Sequence, residues 1–161
     1  YKGKCPLGRK VLMQWKNMEP VEYRPVGEVH SPYAERAPRQ PREDDEGGEF
    51  FVEVLEEFAP ALRDLDRFNY VAILFHIHRS PRYDGSTEAH PPMLDGKAVG
   101  LFASRSPHRP NPIGLDIARI LRVQGRRIYT SGLSAIDCTP VLDIKPYIDN
   151  DSKSDTGPGF E

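Results

Sequence analysis

Cysteine is scarce in this chain of 161 residues, which holds only Cys5 and Cys138. Two thiols cannot build a disulfide framework or a four-cysteine zinc site, and a reducing cytoplasm is their simplest setting. Cys138 follows an aspartate and is a weak candidate for a catalytic thiol, and a structural role is the simpler reading. No apolar run approaches the ~18 residues of a membrane span. The opening stretch from Tyr1 to Lys10 is basic without an apolar centre, so no secretory signal is expected there. It also lacks a methionine, so the chain is expected to be a trimmed segment. Three glycine-marked motifs are missing as well: the dinucleotide fingerprint after a strand, the phosphate-cradling P-loop and the nucleophile elbow. Their absence argues against a Rossmann site, a P-loop ATPase and an α/β-hydrolase.

What the chain has in excess is backbone punctuation. Sixteen prolines and thirteen glycines make 29 residues, about 18% of the total against an average of ~12%. Proline breaks helix interiors, so a long bundle or coiled coil is excluded. With 38% hydrophobic and 29% charged residues, the length fits one globular domain with a sizeable core. The net charge of −2 conceals segregation. Residues 43–66 carry ten acidic groups and one basic, a net of −9, whereas residues 67–136 carry ten basic and four acidic, a net of +6. A basic central stretch can meet phosphate while the acidic stretch faces elsewhere.

Residues 1–22 read as an irregular basic arm, residues 23–148 as the folded domain and 149–161 as a polar tail expected to be disordered. Strands are expected over Tyr23–Ser31, Phe50–Leu55, Val99–Ala103 and Val141–Ile144, and a hairpin over Leu115–Val123 and Arg126–Leu133. Asn69–His78 is nearly all apolar, which predicts a strand buried on both faces. Leu62, Leu65 and Phe68 predict one short helix within Phe58–Phe68. Short strands, one helix and long proline-rich loops predict a mainly-β barrel or sandwich.

Three groups of residues could carry chemistry. Ser104–Gly114 is a proline-stiffened loop whose Arg105, His108, Arg109 and Asn111 suit a carboxylate or phosphate; a surface turn with incidental charge is the bland alternative. His76 and His78, two apart, share a face if both lie on a strand. They suit a metal pair, as in a cupin, although no glutamate follows at the cupin spacing. The wall of an organic-ligand pocket and a satisfied core histidine are the other readings. Asp143 and Lys145 also share a face and read as an ion pair, whereas Asp137 suits a hydroxyl- or amine-binding carboxylate.

The order of these motifs resembles the TsaA/TrmO-like family of S-adenosylmethionine-binding proteins and tRNA methyltransferases. The resemblance rests on Ser31-Pro32-Tyr33, the Pro38–Pro41 loop, Ile73–His78, Gly100–Ser106, Arg109–Gly114 and Asp137–Tyr147, and spans about residues 25–148. It implies a compact antiparallel β-barrel, usually a homodimer, that binds S-adenosylmethionine without a Rossmann sheet. It also implies methyl transfer to N6 of threonylcarbamoyladenosine beside the tRNA anticodon. Carried over by motif, the cofactor residues would be Arg39, Gln40, Pro41, His78, Arg79, Arg105, Leu115 and the segment Ser134, Ala135, Ile136 and Asp137. No metal is implied. His78 and Asp137 are the expected groups for proton removal or substrate orientation. A non-catalytic S-adenosylmethionine sensor and a cupin-like metal enzyme using His76 and His78 are the alternatives. Cys138 stands where the family's motif has glycine, and longer bacterial members carry a further C-terminal domain.

Overall fold

The computed structural model describes residues 19–37 and 48–154. Eight strands appear: β1 (Gly27–His30), β2 (Phe50–Val54), β3 (Tyr70–His76), β4 (Glu88–Ala89), β5 (Val99–Gly100), β6 (Ile113–Gln124), β7 (Arg127–Thr130) and β8 (Thr139–Pro146). Six of them form one antiparallel sheet in the order β1-β2-β7-β6-β3-β8, and β1 pairs with β8 to close it into a barrel. The short β4 and β5 pair separately. Long loops rich in proline join these elements.

The interior is filled by alternate residues, as the period-two pleat requires. Val29, Val52, Val54, Val71, Ile73, Phe75, Ala118, Ile128 and Val141 all point inward. The expectation that the 69–78 run is buried on both faces is not met. Along β3, buried residues alternate with half-buried ones, because a small barrel has a single packed face. The hairpin turns at Gly125, whose φ of +59° favours glycine.

The expected short helix is also different in kind. Two 3₁₀ turns, Glu56–Leu62 and Leu65–Arg67, occupy that stretch, and no α-helix occurs among the described residues. Leu62, Leu65 and Phe68 are spaced by three, which is the 3₁₀ repeat. Pro60 lacks an N–H, and Asp64 sits in the left-handed region at φ 66°, so an α-helical ladder cannot run through. Likewise, the expected strand over Val99–Ala103 stops at Gly100 and continues as a 3₁₀ turn, Leu101–Ala103. In the polar tail, a 3₁₀ turn spans Asp149–Asp151.

Candidate functional site

Four connections are tied together by hydrogen bonds: residues 31–37, 77–87, 104–112 and 131–138. The hydroxyl of Ser31 donates to the Ala135 carbonyl at 2.9 Å, and its amide donates to Asp137 Oδ1 at 3.2 Å. The amide of Asp137 in turn donates to the Tyr33 carbonyl at 2.8 Å. Arg79 donates to the Ala34 carbonyl at 2.8 Å, and Ser80 donates to the Pro107 carbonyl at 2.9 Å. Ile77 donates to the Pro112 carbonyl at 2.7 Å, which seats the proline loop beside the end of β3. His108 lies 3.1 Å from Asp84 Oδ1 and links the same two loops a third time.

Most of the residues expected from the sequence fall within this cluster. Arg105 and Leu115 are brought into direct contact, as the guanidinium donates to the Leu115 carbonyl at 2.7 Å. Ser134 to Asp137 form an irregular segment between β7 and β8. His78 lies past the end of β3 in a turn, so His76 and His78 do not both sit on a strand as the metal-pair reading requires. Among the described residues, no group of three His, Cys, Asp or Glu side chains could hold a metal ion. Arg39, Gln40 and Pro41 lie outside the described residues. Asp143 and Lys145 pair at 2.6 Å, as the bland reading of that face expects.

Within the proline loop, the hydroxyls serve the loop itself. Ser104 Oγ donates to the Leu101 carbonyl, and Ser106 Oγ accepts the His108 amide. Arg109 serves the loop too, donating to the Ser104 and Ser106 carbonyls, whereas Arg105 reaches out of it to Leu115.

Charge compensation separates two groups of arginines. On the hairpin, Arg122 pairs with Glu49 at 2.9 Å, and Arg126 and Arg127 share Glu53 at 2.7 and 3.1 Å. Arg79, Arg105 and Arg109 instead donate to backbone carbonyls: Ala34, Leu115, and Ser104 with Ser106. None of these three forms an ion pair with a carboxylate among the described residues. A carbonyl orients a guanidinium without neutralising it, so fixed positive charge is concentrated on these connections.

The titratable groups differ as sharply. His78 is held below the usual histidine value of 6.5, first by burial and then by the charges of Arg79 and His76. Its Nδ1 is buried and has no hydrogen-bond partner, so it keeps its bonding capacity for a ligand or for its own proton. Asp137 lies at the surface, with Oδ1 also 3.6 Å from His30 Nδ1. Asp116 was not anticipated from the sequence. It is 7% exposed and accepts two bonds from Ser134, from the amide at 2.7 Å and from the hydroxyl at 2.6 Å.

Cys138 is exposed, not a buried structural thiol, and sits in the left-handed region at φ 60°. Charge on Asp137 is the first cause that pushes its thiol upward, which disfavours the nucleophilic thiolate. A side chain there is strained and packs against no core. Cys138→Gly is expected to stabilise the fold by about 1 kcal/mol, the usual left-handed penalty of a non-glycine residue. Thermal denaturation checks this, and a lowered Tm would contradict the strain argument.

Fold and site together define a small closed β-barrel that carries, on its connections, arginines oriented by carbonyls and outside any salt bridge among the described residues. The chain belongs to the tRNA-methyltransferase O N-terminal domain family, whose pattern matches residues 28–152. It is 48% identical over 88 residues to a mouse (Mus musculus) protein named tRNA (adenine(37)-N6)-methyltransferase, a match that covers 55% of this chain and 20% of that protein. It is 37% identical over 130 residues to a probable S-adenosyl-L-methionine-binding protein of Pyrococcus abyssi, covering 78% of this chain and 67% of the relative. The crystal structure of TrmO from Pseudomonas aeruginosa superposes with a TM-score of 0.70 at 33% identity, over 88% of this chain and 62% of that one. The chain thus spans about a fifth of its mammalian relative and less than two thirds of the solved one.

Proposed function

We propose that the protein binds S-adenosylmethionine and transfers its methyl group to N6 of threonylcarbamoyladenosine beside a tRNA anticodon. The observation that carries this reading is the set of arginines held by carbonyls and left without carboxylate partners. An amino-acid carboxylate on the cofactor and phosphates on the RNA are the anions that such charge suits. The names borne by the mouse and archaeal relatives support the same two ligands.

The residues present fit the cofactor. Arg105 offers a charged head for its carboxylate, and Asp137 offers a surface carboxylate for a ribose diol. When bound, the cofactor supplies an electrophilic methyl on a sulfonium. The protein's part is alignment and proton handling. The connections hold the N6 nitrogen in line, and the adjacent carbonyl of the substrate acidifies its N–H. His78, kept neutral by burial, accepts that proton as the N–C bond forms.

The decisive experiment supplies purified protein with S-adenosylmethionine and tRNA carrying or lacking the threonylcarbamoyl group. Nucleoside mass spectrometry is expected to show one added methyl on the carbamoylated nucleoside alone. Cofactor binding without transfer would leave a sensor, and no binding would remove both readings.

The assembly proposed is a homodimer. Ile113, Leu115 and Ile117 form a row on the outer face of β6, each 43–45% exposed, beside Ala72 and Leu74 of β3. A contiguous apolar row of that kind suits a self-complementary contact. Light scattering is expected to give twice the mass of the chain at micromolar concentration; the monomer mass would exclude it. A cytoplasmic setting is proposed with it, and no helix among the described residues is long and apolar enough to cross a membrane.

A further inference from the structure

Among the described buried residues of the barrel, Asp116 is the one carboxylate; the other buried polar residues are Thr130, Ser131 and Thr139. It lies on the inner face of β6, two residues from Ala118 of the core. Burial raises its carboxyl above the ordinary carboxylate value, opposed by the two Ser134 bonds and by the charge of Arg105. An ionised carboxyl with a raised value costs the fold stability at neutral pH, because the unfolded chain ionises it more readily. Packing alone would therefore favour an apolar or amide side chain at this position.

What Asp116 gains in exchange is control of a segment that no strand holds. Residues 131–138 run between β7 and β8 without regular pairing. Ser131 is tied to Arg119 at the start, and Asp137 and Cys138 are tied to Tyr33 and Val29 at the end. Between these anchors, the Ser31 hydroxyl holds the Ala135 carbonyl, and Asp116 holds Ser134 through both its amide and its hydroxyl. The preceding residue, Leu115, offers the carbonyl that orients Arg105. One dipeptide of β6 thus sets both the arginine and the segment on which cofactor binding has been proposed to rest.

We infer that Asp116 is a positioning residue for cofactor binding: it holds Ser134 at the head of the Ser134–Asp137 segment, and with Arg105 it completes the seat for the cofactor. This rests on the reading that S-adenosylmethionine occupies that seat. Asp116 itself touches neither the methyl group nor the nitrogen that receives it. Its loss is expected in affinity rather than in the chemical step.

The test uses the whole chain, with Asp116→Ala, Asp116→Asn and Ser134→Ala variants. S-adenosylmethionine binding is measured by calorimetry, and kcat and KM are measured on carbamoylated tRNA. Asp116→Ala is expected to weaken cofactor binding roughly ten- to a hundredfold, the range for losing charge-assisted hydrogen bonds, with kcat within about threefold. Asp116→Asn is expected to recover most of that loss. Its amide oxygen accepts the Ser134 N–H, and its NH₂ donates to the hydroxyl, which can accept. It is also expected to melt no lower than the wild type, because the buried charge is gone. Ser134→Ala removes one of the two bonds and is expected to fall between. If Asp116→Ala does not fold, the asparagine and serine variants still decide. Equal affinity in wild type, Asp116→Asn and Ser134→Ala, with kcat reduced in the variants, would overturn the inference. Failure of the wild type to bind the cofactor would instead remove the reading beneath it, and a folded Asp116→Ala that binds as the wild type does would remove the inference alone.

Discussion

Gly114→Ala is expected to lower Tm by roughly 6–12 °C, and Gly114→Val to leave little folded protein. Gly114 of β6 is in register with Phe75 of β3, and the ring of Phe75 covers the glycine. A Cβ on Gly114 would lie 2.2 Å from Cε2 and 2.4 Å from Cζ of that ring. Phe75 is a core residue, 5% exposed, so its ring has no solvent into which it could swing. Overpacking of a tight core typically costs about 1–3 kcal/mol, and this overlap lies at or beyond the top of that range. Each kcal/mol moves the midpoint of a domain this size by about 2–4 °C. Such a loss is a large share of the ~5–15 kcal/mol that holds a domain together. Calorimetric melting checks the alanine variant, and Phe75→Leu in the same chain is expected to restore part of the loss. An unchanged midpoint in Gly114→Ala would show that the ring can move, contrary to the packing described here.

The second large effect concerns His78. Replacement by alanine or glutamine is expected to cut kcat for methyl transfer by about 10²–10⁴-fold, the usual worth of a positioned general base. The sign of its pH dependence follows from burial. Because its value in the fold is held below 6.5, the imidazole is already neutral at neutral pH. The acid limb of kcat/KM should therefore lie below 6.5 and vanish in His78→Gln. The same group makes no difference to stability above 6.5, where folded and unfolded chains both hold it neutral. As the pH falls below 6.5, the unfolded chain takes up the proton first and stability declines. An acid limb at or above 6.5, or a variant that turns over within threefold of wild type, would transfer the role elsewhere. Asp137→Asn is the comparison, since that carboxylate is the other group expected to handle the proton.

The strands were legible where hydropathy alternates with the barrel's inside and outside. Val71, Ile73 and Phe75 declare β3 plainly, and the turn at Gly125 declares the hairpin. Along Ile113–Ala118 the same rule misleads. Isoleucine and leucine at 113, 115 and 117 mark the outer face, while the aspartate between them points inward. A reader guided by polarity turns that strand over and places Asp116 in water. Its partner, Ser134, is 18 residues away on an irregular segment, so no local spacing reveals the pair. The 3₁₀ turns were obscured for a different reason. Apolar residues three apart suit either helix over so short a stretch, and Pro60 and Asp64 decide between them only through backbone geometry. Arg105 and Asp137 are proposed for the site because the order of proline-rich motifs along the chain singles them out. Which arginines stay outside salt bridges depends on where the carboxylates fold, and among the arginines Glu49 and Glu53 reach only those of the hairpin.

Closure of the sheet through β1 and β8 has a bearing on how this molecule can breathe. A sheet with free margins can fray from its outermost strand, whereas a cylinder offers no strand that is first to leave. Any opening short of global unfolding is then confined to the joints between strands, which are the stretches that carry His78, Arg105 and Asp137. Amide exchange should accordingly be slow and uniform around the cylinder and fast on those joints. A ligand that seats there would slow the joints and leave the wall unchanged.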